Sequence, residues 1–255
     1  MAKDPHFDEL KQLNAELEKA KAELEKLSHF KSHLLSLASH QVRSSLAIIK
    51  GYTQMLRQGF HGPLNDEVAH IVGKIEFAAE DLINLVSNVI DLKKIEDGKI
   101  TYDFKKLDIV LLAKQVIDYY KPLAGARGLE MTVSLPNESV FVKADEQHLK
   151  HVVQNLIDNA VKYTERGFIR ISIEQRTGEA IFSVQDSGIG IKPGTSPLLF
   201  EEFIRDERVE SMVKGSGLGL HIAKNIIEAH NGKIWAESEG EGQGATFTFS
   251  LSCER

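Results

Sequence analysis

Residues 154–164 read QNLIDNAVKYT, the closing stretch of an amphipathic run from about Asp145 to Lys162 that predicts a helix. Asn155 and Asn159 fall one turn apart on one face of that helix, with Lys162 a further turn on. Asparagine is a mediocre helix-interior residue because its amide competes for nearby backbone groups, so two at this spacing invite a functional reading. An amide oxygen can ligate Mg²⁺, and an ammonium can meet a phosphate. A solvated helix face explains the same residues equally well in isolation, so the surroundings must decide.

Those surroundings read as mixed α/β from about residue 104. LDIVLLAKQVIDYYKPLA predicts a helix, and MTVSL and SVFVKA predict short strands before the asparagine helix. FIRISIE and AIFSVQD alternate strictly and are separated by RTGE, a hairpin signal. Gly215 to His230 predicts a helix opened by glycines, and KIWAES and ATFTFSL predict closing strands.

Three more stretches carry chemistry. In VQDSGIGI, residues 184–191, Asp186 can accept from an exocyclic amine, while Gly188 and Gly190 let the backbone approach a flat ring. A tight turn after a strand is the plain alternative. In LFEEFIRDE, residues 199–207, Phe200 and Phe203 suit the pinning of a mobile lid and Arg205 suits a phosphate; a short amphipathic helix reads equally well there. In KGSGLGLHIAKNII, Gly215, Gly217 and Gly219 precede or open a helix, so backbone N–H groups and the positive helix end face an anion. No GK[ST] follows, which excludes a Walker loop, and no apolar strand leads in, which excludes a dinucleotide-binding fingerprint.

The first part of the chain is helical in texture. Leu10, Leu13, Leu17, Ala20, Leu24 and Leu27 alternate steps of three and four, a coiled-coil seam. A single amphipathic helix lying on a globular body is the alternative. The seam runs on through Lys31 to Leu35, Ala38, Val42, Ser45, Ile49, Tyr52 and Leu56, with a stutter at Leu27–Lys31–Leu35. Leu34, Leu37, Ile48 and Met55 widen the apolar arc to that of a bundle helix. GFHGPLND is a turn in which Asn65 or Asp66 can cap the next helix, whose own seam is Val68, Ile71, Ile75, Ala78, Leu82, Leu85, Val89 and Leu92. One such hairpin leaves too much apolar surface bare, so two should assemble as a dimeric four-helix bundle. At about 100° per residue the seam lies nearly opposite His40, which shares its face with Ser36, Arg43 and Ala47 and should be presented to solvent.

A formal net charge of −6 argues against a nucleic-acid partner. The lone Cys253 excludes an internal disulfide and suits a reducing compartment. No run approaches the apolar length of a membrane helix and no signal-peptide core opens the chain, so the expected location is the cytoplasm, free or as the cytoplasmic portion of an anchored sensor.

Together the four stretches resemble the core of a sensor histidine kinase, over roughly residues 30–255. In that family a dimerisation and phosphoacceptor hairpin precedes a catalytic ATP-binding domain of the Bergerat type, a two-layer α/β sandwich shared with Hsp90, gyrase B and MutL. The resemblance implies a coiled-coil signalling helix over 1–32, the hairpin domain over 33–98 and the catalytic domain over 104–255. It implies ATP and Mg²⁺ as ligands, a homodimer, and a response regulator receiver domain as partner. His40 matches the phosphoacceptor, and Gln41, Arg43, Ser44 and Asn155 join it as candidate catalytic residues. Asn159 matches the Mg²⁺-holding asparagine and Asn155 the first asparagine of that motif. Lys162 would meet phosphate and Tyr163 line the nucleotide. Asp186 matches the carboxylate that reads the adenine amino group, with Gly188, Gly190 and Ile191 beside it. Phe203, Arg205, Gly215, Gly217, Leu218 and Gly219 match the lid and its flanks, and Gly244 to Thr246 the final glycine motif.

In the related ATPases a glutamate stands where this chain has Asn155 and activates water; an amide cannot act as that base. Two departures stand out. The family's acidic residue after the histidine is Gln41, and its Thr-Pro pair is Ser44-Ser45. Ser44 keeps a hydroxyl at the position that the family links with dephosphorylating the regulator. A serine kinase or ATPase of the same superfamily, and a dimeric scaffold gated by nucleotide, are the competing readings.

Overall fold

The computed structural model describes residues 17–19, 21, 38–39, 41–96, 98, 100–201 and 217–254, and it divides into two compact units, Met1–Lys93 and Lys94–Arg255. The coiled coil read over 1–32 lies outside the described residues, apart from the helical positions 17–19 and 21.

In the first unit, helix α1 over residues 41–57 and helix α2, Asp66–Glu96, form a hairpin. Gly59 and Gly62 turn the chain at φ of 79° and 95°, values that glycine adopts without a Cβ penalty. Asn65 provides the cap, its Oδ1 accepting from the Val68 N–H at 2.8 Å, and Asp66 and Glu67 complement the helix dipole in the first turn. Arg43 donates to Ser87 Oγ at 3.0 Å, and Arg57 pairs with Glu76 at 2.7 Å. As α1 advances, its partners on α2 retreat, so the two helices are antiparallel.

Burial within the hairpin mostly selects positions off the main seam of the wide apolar arc. Ser39, Leu46 and Thr53 of the first helical stretch, with Val72, Ala79 and Leu92 of α2, form the buried set. Val42, Ile49 and Tyr52 of the expected seam are 42%, 41% and 64% exposed, and Ile71, Ile75, Leu82 and Leu85 of α2 remain exposed too. The apolar arc is wider than one neighbouring helix can cover, and the positions facing α2 include small and hydroxyl residues that allow close approach.

The second unit opens with β1, Lys105–Asp108, which runs into α3, Ile109–Ala126, without a loop. Asp108 ends the strand and caps the helix, accepting from the Val110 N–H at 2.9 Å. Then come β2, Leu129–Ser134; β3, Phe141–Ala144; α4, Glu146–Tyr163; β4, Gly167–Arg176; and β5, Glu179–Asp186. A 3₁₀ turn, Ser196–Phe200, precedes α5, Gly219–Ala229, and β6, Lys233–Glu237, and β7, Ala245–Ser252, close the unit. Leu107 and Asp108, read from sequence as the start of a helix, belong to β1, which pairs antiparallel with β3. α5 begins at Gly219 rather than Gly215.

The main sheet has the order β2-β4-β5-β7-β6, with β2 parallel to β4 and every other pair antiparallel. Thr177 and Gly178 both adopt positive φ, 47° and 84°, the geometry that matches a two-residue hairpin to the twist of its strands. One face of the sheet carries Ile169, Ile171, Phe182, Val184, Phe247 and Phe249, all buried. Leu112 and Val116 of α3, Leu149, Val153 and Leu156 of α4, and Ile222 and Ile226 of α5 supply the buried helical layer. Phe182 and Phe249 are cross-strand partners and stack at 5.1 Å between ring centroids.

The segment before β1 is tied to the start of α4. Asp145 caps α4 through the His148 N–H at 3.0 Å, and its other oxygen accepts from the Asp103 N–H at 2.8 Å. Burial alone would raise this carboxyl, but those two N–H groups and the His148 side chain hold it at about 2. His230 accepts the Asp145 N–H at Nε2 (3.0 Å) and donates from Nδ1 to the Ile226 carbonyl (2.7 Å), so it is the neutral Nδ1–H tautomer. Tyr102 packs edge-on to both His148 and His230.

Candidate nucleotide-binding site

Asp186 is the last residue of β5, where the strand reaches the edge of the helical layer, and it is only 5% exposed. Burial raises its carboxyl pKa, while the backbone N–H groups of Gly188 and Ala245 partly offset that. The Gly188 N–H lies 2.8 Å from Oδ1. The loop after Asp186 is pressed against the end of α4: a Cβ on Gly188 would stand 2.2 Å from the Tyr163 carbonyl, which accepts from the Ile189 N–H at 3.3 Å. On its other side the loop meets the turn between β6 and β7. A Cβ on Gly190 would fall 2.0 Å from the Gly240 carbonyl, and one on Gly244 would fall 2.0 Å from the Asp186 carbonyl. Both glycines have positive φ, so composition and conformation agree at these points.

Asn155 and Asn159 are half-buried on α4, joined by a long contact of 3.4 Å from Asn159 Nδ2 to Asn155 Oδ1. α5 starts directly against Asn155. A Cβ on Gly219 would meet Asn155 Oδ1 at 2.5 Å, and among the described residues no side chain caps the helix at Leu218. Two amides beside the positive end of a helix suit a polyphosphate with its cation: the dipole favours the anion, and amide oxygen is a Mg²⁺ donor. Lys162 Nζ pairs with Asp158 at 2.7 Å along the same helix. Ile191 and Leu218 are buried, and Gly217 turns the chain into α5 with φ of 69°.

Thr246 is placed elsewhere. It pairs with Gln185, not Asp186, and lines the helix-free face of the sheet with Thr132, Ser134, Arg170 and Ser183. Strand side chains alternate, so the residue beside Asp186 on the helical face is Ala245, and the motif contributes its backbone N–H there. Phe203, Arg205 and Gly215 lie outside the described residues, as does His40. Gln41, Arg43 and Ser44 are exposed on α1, and Arg43 reaches across the hairpin to Ser87.

Residues 144–255 match the family described as histidine kinase-, DNA gyrase B-, and HSP90-like ATPase, and residues 30–98 match the His Kinase A (phospho-acceptor) domain. The chain belongs to the sensor histidine kinases. It is 32% identical over 82% of its length to the circadian input-output histidine kinase CikA of Synechococcus elongatus, covering 28% of that protein. It is 30% identical over 86% of its length to the autoinducer 2 sensor kinase/phosphatase LuxQ of Vibrio cholerae, covering 26% of it. The same identity holds over 90% of the chain to the histidine-protein kinase BaeS of Escherichia coli, covering 48%. The chain therefore spans about a quarter to a half of the length of these relatives. Among solved structures, full-length ShkA in complex with AMPPNP superposes with a TM-score of 0.65 at 28% identity, covering 87% of this chain and 46% of that one. Among the described residues no helix is long and apolar enough to cross a membrane.

The kinase fold also holds residues that the motifs did not single out. Ser238, just after β6, sits between the two glycine loops with its Oγ in reach of both. His221 on α5 lies 2.9 Å through Nδ1 from the carbonyl of buried Phe200. Ser238 ends KIWAES, which the sequence reads as a closing strand; β6 stops at Glu237, and only the closing of one loop on the other shows why a hydroxyl stands there.

Proposed function

We propose that the chain is an ATP-dependent protein-histidine kinase that phosphorylates His40 and passes the phosphoryl group to an aspartate on a response regulator receiver domain. The observation that carries this reading is Asn155, held against the first turn of α5: it presents an amide, which cannot take a proton from water. A site of that kind can hold and orient a triphosphate, and its acceptor must come from elsewhere.

In this reading Asp186 accepts from the adenine amino group, with Gly188 and Gly190 admitting the ring. Asn159 holds Mg²⁺, which when bound offsets charge on the phosphates. Lys162 exchanges Asp158 for a phosphate oxygen. A neutral His40 nitrogen attacks the γ-phosphorus in line; the N–P bond forms as the bridging P–O bond breaks, ADP leaves with that electron pair, and the imidazole proton is lost to water. Gln41 orients the ring and takes no proton, which costs little because imidazole is largely neutral at pH 7. Catalysis then rests on positioning and charge stabilisation.

The exposed stripe of Val42, Ile49, Tyr52, Ile71 and Leu82 supports a homodimer in which a second hairpin covers it. Removal of phosphate from the regulator is a second activity, favoured by the exposed hydroxyl of Ser44 and by the kinase/phosphatase name of LuxQ.

Incubation with γ-labelled ATP should give protein-bound label that is acid-labile, alkali-stable and absent in His40→Ala. Label surviving that substitution, or acid-stable phosphoserine, would overturn the assignment in favour of a serine kinase. Nucleotide binding without label or phosphate release would favour a gated scaffold.

A further inference from the structure

Ser238 follows β6 and is half-buried, and its Oγ is within hydrogen-bond reach of four backbone groups. The Gly244 carbonyl lies at 2.6 Å and the Gly240 carbonyl at 3.1 Å; the Ile191 N–H donates from 3.1 Å and the Gly240 N–H from 3.2 Å. A hydroxyl has one proton and two lone pairs. The proton goes to Gly244, the shortest contact, and the lone pairs take the two N–H groups, so the full capacity of the side chain is used. Ile191 belongs to the loop after Asp186, while Gly240 and Gly244 belong to the turn before β7. One hydroxyl thus joins two segments that are far apart in sequence.

Backbone contacts continue the seam. The Gly242 N–H donates to the Ile189 carbonyl at 2.7 Å, and the Gly244 N–H to the Gly188 carbonyl at 3.2 Å. The two N–H groups that reach the Asp186 carboxylate come from Gly188 and Ala245, one on each side of this seam. None of the Ser238 hydrogen bonds goes to Asn155, Asn159 or the first turn of α5.

We infer that Ser238 is a positioning residue for base recognition: its hydroxyl locks together the two glycine loops whose N–H groups aim Asp186, and so sets how tightly and how selectively the site holds an adenine base. The inference rests on the nucleotide reading of the site. It separates base recognition, which Ser238 supports, from phosphoryl transfer, which it does not touch.

The test uses the full chain. In Ser238→Ala the Ile191 and Gly240 N–H groups lose their acceptor, and the KM and Kd for ATP should rise about tenfold, ~1.4 kcal/mol. The preference for ATP over GTP should narrow, while kcat at saturating ATP stays within about twofold, as expected when the bound ground state and the transition state lose the same binding. A lowered kcat with unchanged KM, or an unchanged KM and base preference, overturns the inference. Asp186→Asn separates the two levels. If it abolishes ATP binding while Ser238→Ala binds as the wild type does, the inference alone fails; if the wild type binds no ATP, the reading of the site fails and the inference with it. Hydrogen exchange of the Ile191 and Gly240 amides in the wild type is independent of any variant's folding. They should be protected, and more so with ADP; fast exchange indifferent to ADP overturns the inference.

Discussion

Phe182 and Phe249 of the α/β unit are 0% exposed, whereas Tyr52, Ile71 and Leu82 of the hairpin are 64%, 51% and 47% exposed. Both units come from strongly patterned sequence, yet among the described residues the α/β unit buries far more of its apolar side chains within itself. The α/β unit has two layers, so each inward side chain meets a partner from the same chain. Among the described residues the hairpin supplies one layer, and a helix with a wide apolar arc finds one neighbouring helix within that unit. Periodicity reports that a face is apolar; what covers that face depends on how many layers the chain supplies.

The comparison breaks most readily at the stacked pair. Phe249→Ala should cost about 3–5 kcal/mol, the range for an aromatic removed from a closed core, read as a lower urea midpoint for the α/β unit. Leu82→Glu in the hairpin should leave that midpoint unchanged and weaken self-association about a hundredfold, ~2.8 kcal/mol, measured by sedimentation. An unchanged dimer would show that the stripe is covered by something other than a second copy.

Acid sharpens the comparison further. Burial lowers the pKa of His230, so the folded state binds the neutral ring and the unfolded state binds a proton more readily. The resulting stability is present above the unfolded value of about 6.5 and is lost as pH falls through the lower folded value, at up to about 1.4 kcal/mol per pH unit. Asp145, held at about 2, keeps its charge throughout that window. The α/β unit should therefore lose stability as pH falls below about 6.5, and His230→Gln should flatten that slope. The smallest effect belongs to the hairpin turn: Asn65→Ala removes the α2 cap and should cost about 1 kcal/mol of hairpin stability.

Much of the fold could be read beforehand. The RTGE turn, the alternating strands on either side of it, and the asparagine helix all stand where their patterns place them, because each is specified by local period and turn chemistry. β1 is not legible in the sequence because KKLD has no alternation of its own and is held by pairing with β3. In the site, Asp186 and the glycines of both loops could be read as a motif, since tight backbone approach excludes other residues. A motif read as a string does not say which face of a strand each letter occupies, so only the register shows that Thr246 pairs with Gln185 on the face away from the helices. The role of Ser238 is not legible in KIWAES because a serine at the end of a strand needs no explanation until the second loop lies against it.

Apart from β1, the order of elements, the helical and strand periods, and the residue types that can hold a nucleotide are set by the sequence alone, because these depend on neighbours a few positions apart. The tertiary structure decided which apolar faces close, that Ala245 rather than Thr246 adjoins Asp186, and that Ser238 joins the two glycine loops. Those outcomes depend on contacts between segments tens of residues apart, and strand register and loop docking settle them.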